Sequence, residues 1–183
     1  MSDLLDRIIS HSTLLQIGEW ARAKILDRIS RGEYLPESTG GSGYSTTRMP
    51  MPFGALQKAV RGGGELRDLI RSGEAHVFKS KAGKIWISLE GGYKRFRELA
   101  GKNADCVTLQ GSGDMLKQLN VTKVDEAGKS VTLGFLSDEA GRIASYHQRD
   151  GAGRSHVTHK FMGLTAEELS ELGALAPGFV NVD

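Results

Sequence analysis

From Ser2 to Arg31 the chain carries one apolar stripe: Leu14, Ile17, Ala21, Ile25 and Ile29, with Leu4, Leu5, Ile8 and Ile9 one to two turns earlier. Residues three and four apart share a helix face, so the pattern predicts one long helix over 2–31 whose apolar side the rest of the chain must cover. Ser2 and Asp3 can cap its start. Gly32 after Arg28 and Arg31 is the expected stop, with cations at the negative end of the helix dipole. Gly18 in the middle costs about 1 kcal/mol relative to alanine. Leu15 and Trp20 lie beside the stripe, either as ordinary packing or as a second face for a neighbouring subunit.

Nothing after Gly32 repeats that length. Twenty-four glycines in 183 residues cut the remainder into short elements and turns. The stretch 36–53 has no periodicity. Glycine and serine loosen it, and Pro36, Pro50 and Pro52 bar it from helix and central strand. Met49, Met51 and Phe53 are poor choices for a solvated linker, so the segment reads as an extended arm that lies on a partner. Short helices are expected over 54–60 and 64–71, joined by Arg61-Gly62-Gly63. No strand precedes those glycines and no Gly-Lys-Ser/Thr follows, so they make a linker, not a phosphate cradle. Two hairpins follow, 76–80 with 85–89 and 119–124 with 130–135, and a helix over 92–101 lies between them. The expectation is an α+β fold: a single domain over 1–183 with a long N-terminal helix and short helices packed on a small, mainly antiparallel sheet.

Hydrophobic content of 39% and charged content of 25% belong to a globular chain, not a disordered one. A net charge of +2 does not by itself indicate nucleic acid. Cys106 is the only cysteine, which excludes an internal disulfide and fits a reducing compartment. No run near 18 apolar residues and no charged-then-apolar leader is read, so a cytosolic chain is expected, unless it leaves inside a particle.

Candidate chemistry is thin. His147, His156 and His159 invite a metal, but Asp150 is the only nearby carboxylate, and on a strand His156 and His159 would face opposite ways. Ser145 lies two residues from His147 without a glycine elbow or a third partner. Cys106 sits in an apolar setting, where a thiol is usually a small buried hydrophobe. No metal, cofactor or catalytic residue is assigned, and the chain is read as not an enzyme. Basic residues gather at Lys79, Lys81 and Lys84, at Lys94, Arg95 and Arg97, and at Arg142, Arg149, Arg154 and Lys160. In sequence no aromatic residues interleave with them as a stacking platform requires, which argues against base-specific binding.

The last block is the most distinctive. Tyr146-His147-Gln148 leads through the glycine-broken Arg149–Arg154 loop to Phe161-Met162-Gly163-Leu164-Thr165, with Thr165 and Glu168 spaced as a capping box. It resembles the C-terminal signature of the tailed-phage virion morphogenesis and tail-completion family, in which Ile/Tyr-His-Gln precedes Arg-x-Phe-Leu-Gly-Leu-Ser/Thr and an acidic helix start. Met162 stands at the Leu position, and His159-Lys160 where Arg-Pro is common. A weaker likeness in the Leu109–Leu119 block extends the resemblance, discontinuously, over about 93–169; little in 35–90 aligns.

The resemblance implies a structural protein of the phage neck. It would be a tail-completion or terminator-type ring subunit, hexameric or dodecameric, that joins tail to head. Its partners would be the head-closure or connector ring and the tail tube proteins, with genomic DNA passing through unread and no membrane involved. It would reside in the virion, and in host cytoplasm during assembly. The interface positions expected are Tyr146, His147, Gln148, Arg149, Arg154 and Phe161, together with Met49, Met51 and Phe53 of the arm. The alternative is a cytosolic DNA-binding or regulatory protein that uses the basic groups.

Overall fold

The computed structural model describes residues 10–40, 43–60, 63–109, 113–151 and 156–179. The fold is α+β, with small antiparallel sheets and helices. Contacts gather into two compact units, Met1–Gly41 with Thr108–Asp183, and Ser42–Val107, which is inserted between the two halves of the first. The segment read as an arm straddles that division.

Helix α1 (His11–Ser30) opens at Ser10, whose hydroxyl accepts from the Thr13 amide at 3.2 Å. The caps expected at Ser2 and Asp3 lie outside the described residues. The stop is the expected one. Gly32 adopts φ 71°, its amide reaches Ile29 O at 2.9 Å, and the Glu33 amide reaches Arg28 O at 3.1 Å. That pair of bonds is the left-handed glycine cap in its two-bond form. Leu14, Ala21, Ile25 and Ile29 are buried along the stripe, while Leu15 is exposed and the Lys24 ammonium sits over the Trp20 ring.

The inserted unit holds strand β1 (Met49–Pro52), helices α2 (Phe53–Ala59) and α3 (Gly63–Arg71), strands β2 (Ala75–Lys79) and β3 (Ile85–Leu89), and helix α4 (Gly92–Leu99). Its sheet runs β1-β3-β2, antiparallel throughout. Proline has no N–H to donate, so a Met-Pro-Met-Pro strand belongs at an edge, where β1 lies. The core is Met51, Leu56, Val60, Leu66, Leu69, Ala75, Ile87, Leu89 and Leu99, with Met49, Phe53 and Phe96 packed against it. The apolar residues of the presumed arm are therefore in use within their own unit. Residues 45–47 lie across the start of α4. The Lys94 amide donates to Ser45 O at 3.1 Å, and a Cβ at Gly92 would fall 2.3 Å from Thr47 O.

The first unit resumes with α5 (Asp114–Lys117), strands β4 (Leu119–Asp125) and β5 (Ser130–Phe135), α6 (Asp138–Ser145) and α7 (Ala166–Phe179). β4 and β5 form an antiparallel hairpin against which α1 packs. Gly18 permits that approach, since a Cβ there would fall 2.7 Å from Cγ2 of both Val121 and Val131. In the hairpin turn, the Gly128 amide donates to Asp125 Oδ1 at 2.8 Å, which holds that carboxyl below its ordinary range. The core joins Ile25 and Ile29 to Met115, Leu116, Leu119, Ala140, Ala144 and Phe161. The capping box forms as read: Glu168 N donates to Thr165 Oγ1 at 3.2 Å and Thr165 N to Glu168 Oε2 at 2.7 Å. Among the described residues no helix is long and apolar enough to cross a membrane.

Candidate docking surface

The Tyr-His-Gln segment is a single π-helical turn. α6 starts at Ser137, whose hydroxyl accepts from Ala140 N at 3.3 Å, and it buries Ala140 and Ala144 against the core. Tyr146–Asp150 then widens by one residue per turn and closes with the Gly151 amide on Tyr146 O at 2.9 Å. Such widened turns are rare and frequent at functional sites. Gly151 makes the exit possible. It holds φ 79°, and a Cβ there would fall 2.2 Å from the His156 carbonyl carbon.

Each inward residue of the turn is held by the returning chain. His159 N donates to His147 O at 2.9 Å, and Met162 N donates to the Gln148 side-chain oxygen at 3.1 Å. The His156 ring nitrogen Nδ1 lies 3.1 Å from Asp150 O. Residues 35–40 back this return on its other side. Leu35 N reaches Lys160 O at 2.8 Å, Lys160 N reaches Ser38 Oγ at 2.9 Å, and Gly40 N reaches Thr158 O at 3.1 Å. Gly40 must be glycine for this, since a Cβ would fall 2.4 Å from Val157 Cγ1. The front of the presumed arm and the signature, far apart in sequence, are thus laced together.

Below this layer His159 is buried edge-on to Tyr34, 4.7 Å between ring centroids, and Phe161 is fully buried. His147 Nδ1 is buried with no hydrogen-bond partner among the described residues. Burial pushes the His147 imidazole below its usual titration range, and His159 nearby acts in the same direction. Arg28 anchors the far end from α1. It is 3% exposed, donates to Phe161 O at 2.9 Å and Gly163 O at 2.7 Å, and pairs with Glu168 of the capping box.

What remains outward is Tyr146, 47% exposed, with Ile143, Arg142 and Arg149 along one side of α6 and the turn. A groove there is lined by Gly141, Arg142, Ile143, Ser145, Tyr146, Arg149 and Asp150. Arg149 Nε donates to Ser145 Oγ at 2.8 Å, which fixes the guanidinium on the helix surface. Among the described residues neither Arg142 nor Arg149 makes an ion pair.

Of the expected interface positions, the structure therefore gathers Tyr146 and Arg149 on the surface, with His147, Gln148 and Phe161 beneath them as supports. Arg154 lies outside the described residues. Met49, Met51 and Phe53 belong to the other unit, Met51 buried and the other two packed on its core. Sequence reasoning read Arg28 only as a helix-end cation and passed over Tyr34, Gly40 and Ile143. Only Arg28 left a trace, since its position falls on the apolar stripe beside Ile25 and Ile29. Ser145 Oγ is occupied by an arginine, and among the described residues no three metal-ligand side chains gather. Comparisons of the chain with protein families, curated sequences and solved structures find no match.

Proposed function

We propose that the chain is an assembly subunit of a tailed-phage virion, placed at the head–tail junction, where it completes the tail or joins it to the head. The observation that carries this reading is the division of labour in the signature. His147, Gln148, His159 and Phe161 are bonded or packed inward, and the turn they brace displays a half-exposed tyrosine, an aliphatic side chain and two arginines that have no carboxylate partner among the described residues. A rigid, mixed aromatic and cationic patch suits docking on a protein surface with acidic rims, where charge gives register and the aromatic gives area. In a ring the contact is heterologous, so this patch meets a different patch on the neighbouring copy or on the head-closure or tail tube ring.

The test is a Tyr146→Ala/Arg149→Glu variant in the phage that encodes the chain. Both side chains are exposed and neither belongs to the core cluster, so the subunit should keep its melting temperature. The expected result by electron microscopy is tailless heads beside free tails. Normal infectious particles from this variant, with the subunit folded, would rule the reading out.

A further inference from the structure

The outer face of the inserted sheet is unlike its inner one. Directly paired residues of antiparallel strands share a face. Phe78 pairs with Trp86, and Trp86 with Pro52, so the three form one row across the sheet. His76, Ser88 and Pro50 form the next row on the same side. The inner side takes Ala75, Ile87, Leu89 and Met51 into the core and leaves Val77 and Ile85 exposed toward the turn; on the outer side Ser88 is buried and Trp86 half-buried, while Phe78 is 42% exposed and His76, Pro50 and Pro52 are exposed as well. In sequence the two aromatics lie on different strands with a lysine-bearing turn between them, which hides their pairing.

The charge of this hairpin is one-sided. From Ala75 to Leu89 there are three lysines, Lys79, Lys81 and Lys84, and no Asp or Glu. All three lie exposed at the turn end of the hairpin, Lys79 on the inner side with Ile85, and among the described residues none makes an ion pair. Their turn is fixed by Ser80, whose amide donates to Lys84 O at 2.9 Å and whose hydroxyl accepts from Lys84 N at 3.2 Å. An exposed Phe78 ring paired with a half-buried Trp86 ring, beside lysines that have no ion-pair partner among the described residues, matches a ligand with planar, unpaired rings and a repeating negative charge.

We propose that this face binds single-stranded nucleic acid without sequence preference. Bases stack on Phe78 and Trp86, and Lys81 and Lys84, in the turn beside that row, take the backbone phosphates. In a duplex the base faces are already stacked on one another, so the aromatic row selects the single strand. The inference rests on residues of the inserted unit and does not depend on the head–tail reading, whose Tyr146 and Arg149 belong to the other unit.

The test is fluorescence anisotropy of the full chain with a labelled oligothymidine and a duplex of the same length, at two salt concentrations. Binding should favour the single strand and quench Trp86 fluorescence in a Trp20→Phe background. Phe78→Ala, which removes an exposed ring, should weaken binding about five- to a hundredfold, as loss of one stacked base does, with the salt slope unchanged. Lys81→Gln/Lys84→Gln should lower the salt slope by about 1.4, from roughly 0.7 counterion per phosphate contact on a single strand. Duplex bound as tightly as single strand, Phe78→Ala without effect, or polyglutamate competing on equal terms would each overturn the proposal. The last result would mark the face as a dock for an acidic protein.

Discussion

Arg28 is the point where the most structure depends on one side chain. Its guanidinium spans from α1 to two backbone carbonyls, Phe161 O and Gly163 O, and to the Glu168 carboxylate, whose side chain is itself only 12% exposed. Arg28→Met keeps much of the volume and removes every donor. Breaking a buried pair by deleting one partner costs about 3–5 kcal/mol, because the remaining charge stays desolvated. Glu168 keeps the Thr165 amide, which offsets part of that loss. The expected loss is therefore about 3 kcal/mol, a shift of roughly 1.5 M in the urea midpoint for a slope of about 2 kcal/mol per molar. Trp20 reports on this unit from α1, and a Trp86→Phe background silences the other unit's tryptophan. Replacing both partners, Arg28→Met/Glu168→Met, removes the stranded charge. The double variant should recover to within about 2 kcal/mol of the parent, the residue being the lost half of the capping box and the unpaired carbonyls. A loss below about 1 kcal/mol for Arg28→Met, or a double variant as damaged as the sum of the singles, would refute the account.

Two further outcomes test the packing and the titration. Gly18→Ala gains about 1 kcal/mol of helix propensity, yet its methyl would meet Val121 and Val131 at 2.7 Å, and β-branched side chains yield little. A net loss of about 1–2 kcal/mol is expected in a thermal or urea melt, and a gain would show that the hairpin gives way. His147 has a folded titration point below its unfolded value near 6.5, so below that pH the unfolded chain binds the extra proton and stability falls as pH drops toward the folded value. Urea midpoints at pH 7.5 and 5.5 should differ more in the parent than in His147→Gln; equal differences would place the acid sensitivity elsewhere.

Much of the framework was legible because local rules set it. The α1 stripe, the Gly32 stop, both hairpins and the Thr165–Glu168 box each rest on residues within a few positions of one another. The rest depended on pairings between distant segments, which no local pattern encodes. Gly18 read as a weak spot in a helix and is the point where the helix meets Val121 and Val131. Met49, Met51 and Phe53 read as apolar groups awaiting a partner; Met49 and Met51 face their own core through the register of β1 on β3, and Phe53 packs on it from the start of α2. In the signature, position alone could not separate the displayed Tyr146 from the braced His147. That distinction comes from the extra residue of the π turn and from the return at His159 and Met162.

The inserted unit also sets an order of events during synthesis. The buried partners of Ile25 and Ile29 come from Met115 onward and include Phe161, so on the ribosome the α1 stripe waits with its apolar side bare while Ser42–Val107 is made. At usual elongation speeds that wait is on the order of ten seconds, ample time for the inserted unit to fold first and for a holding chaperone to find the nascent helix. Moving the gene segment for α1 to the far end of the coding sequence would shorten the exposure, but it would sever the helix from Gly32 and Glu33, whose amides close it.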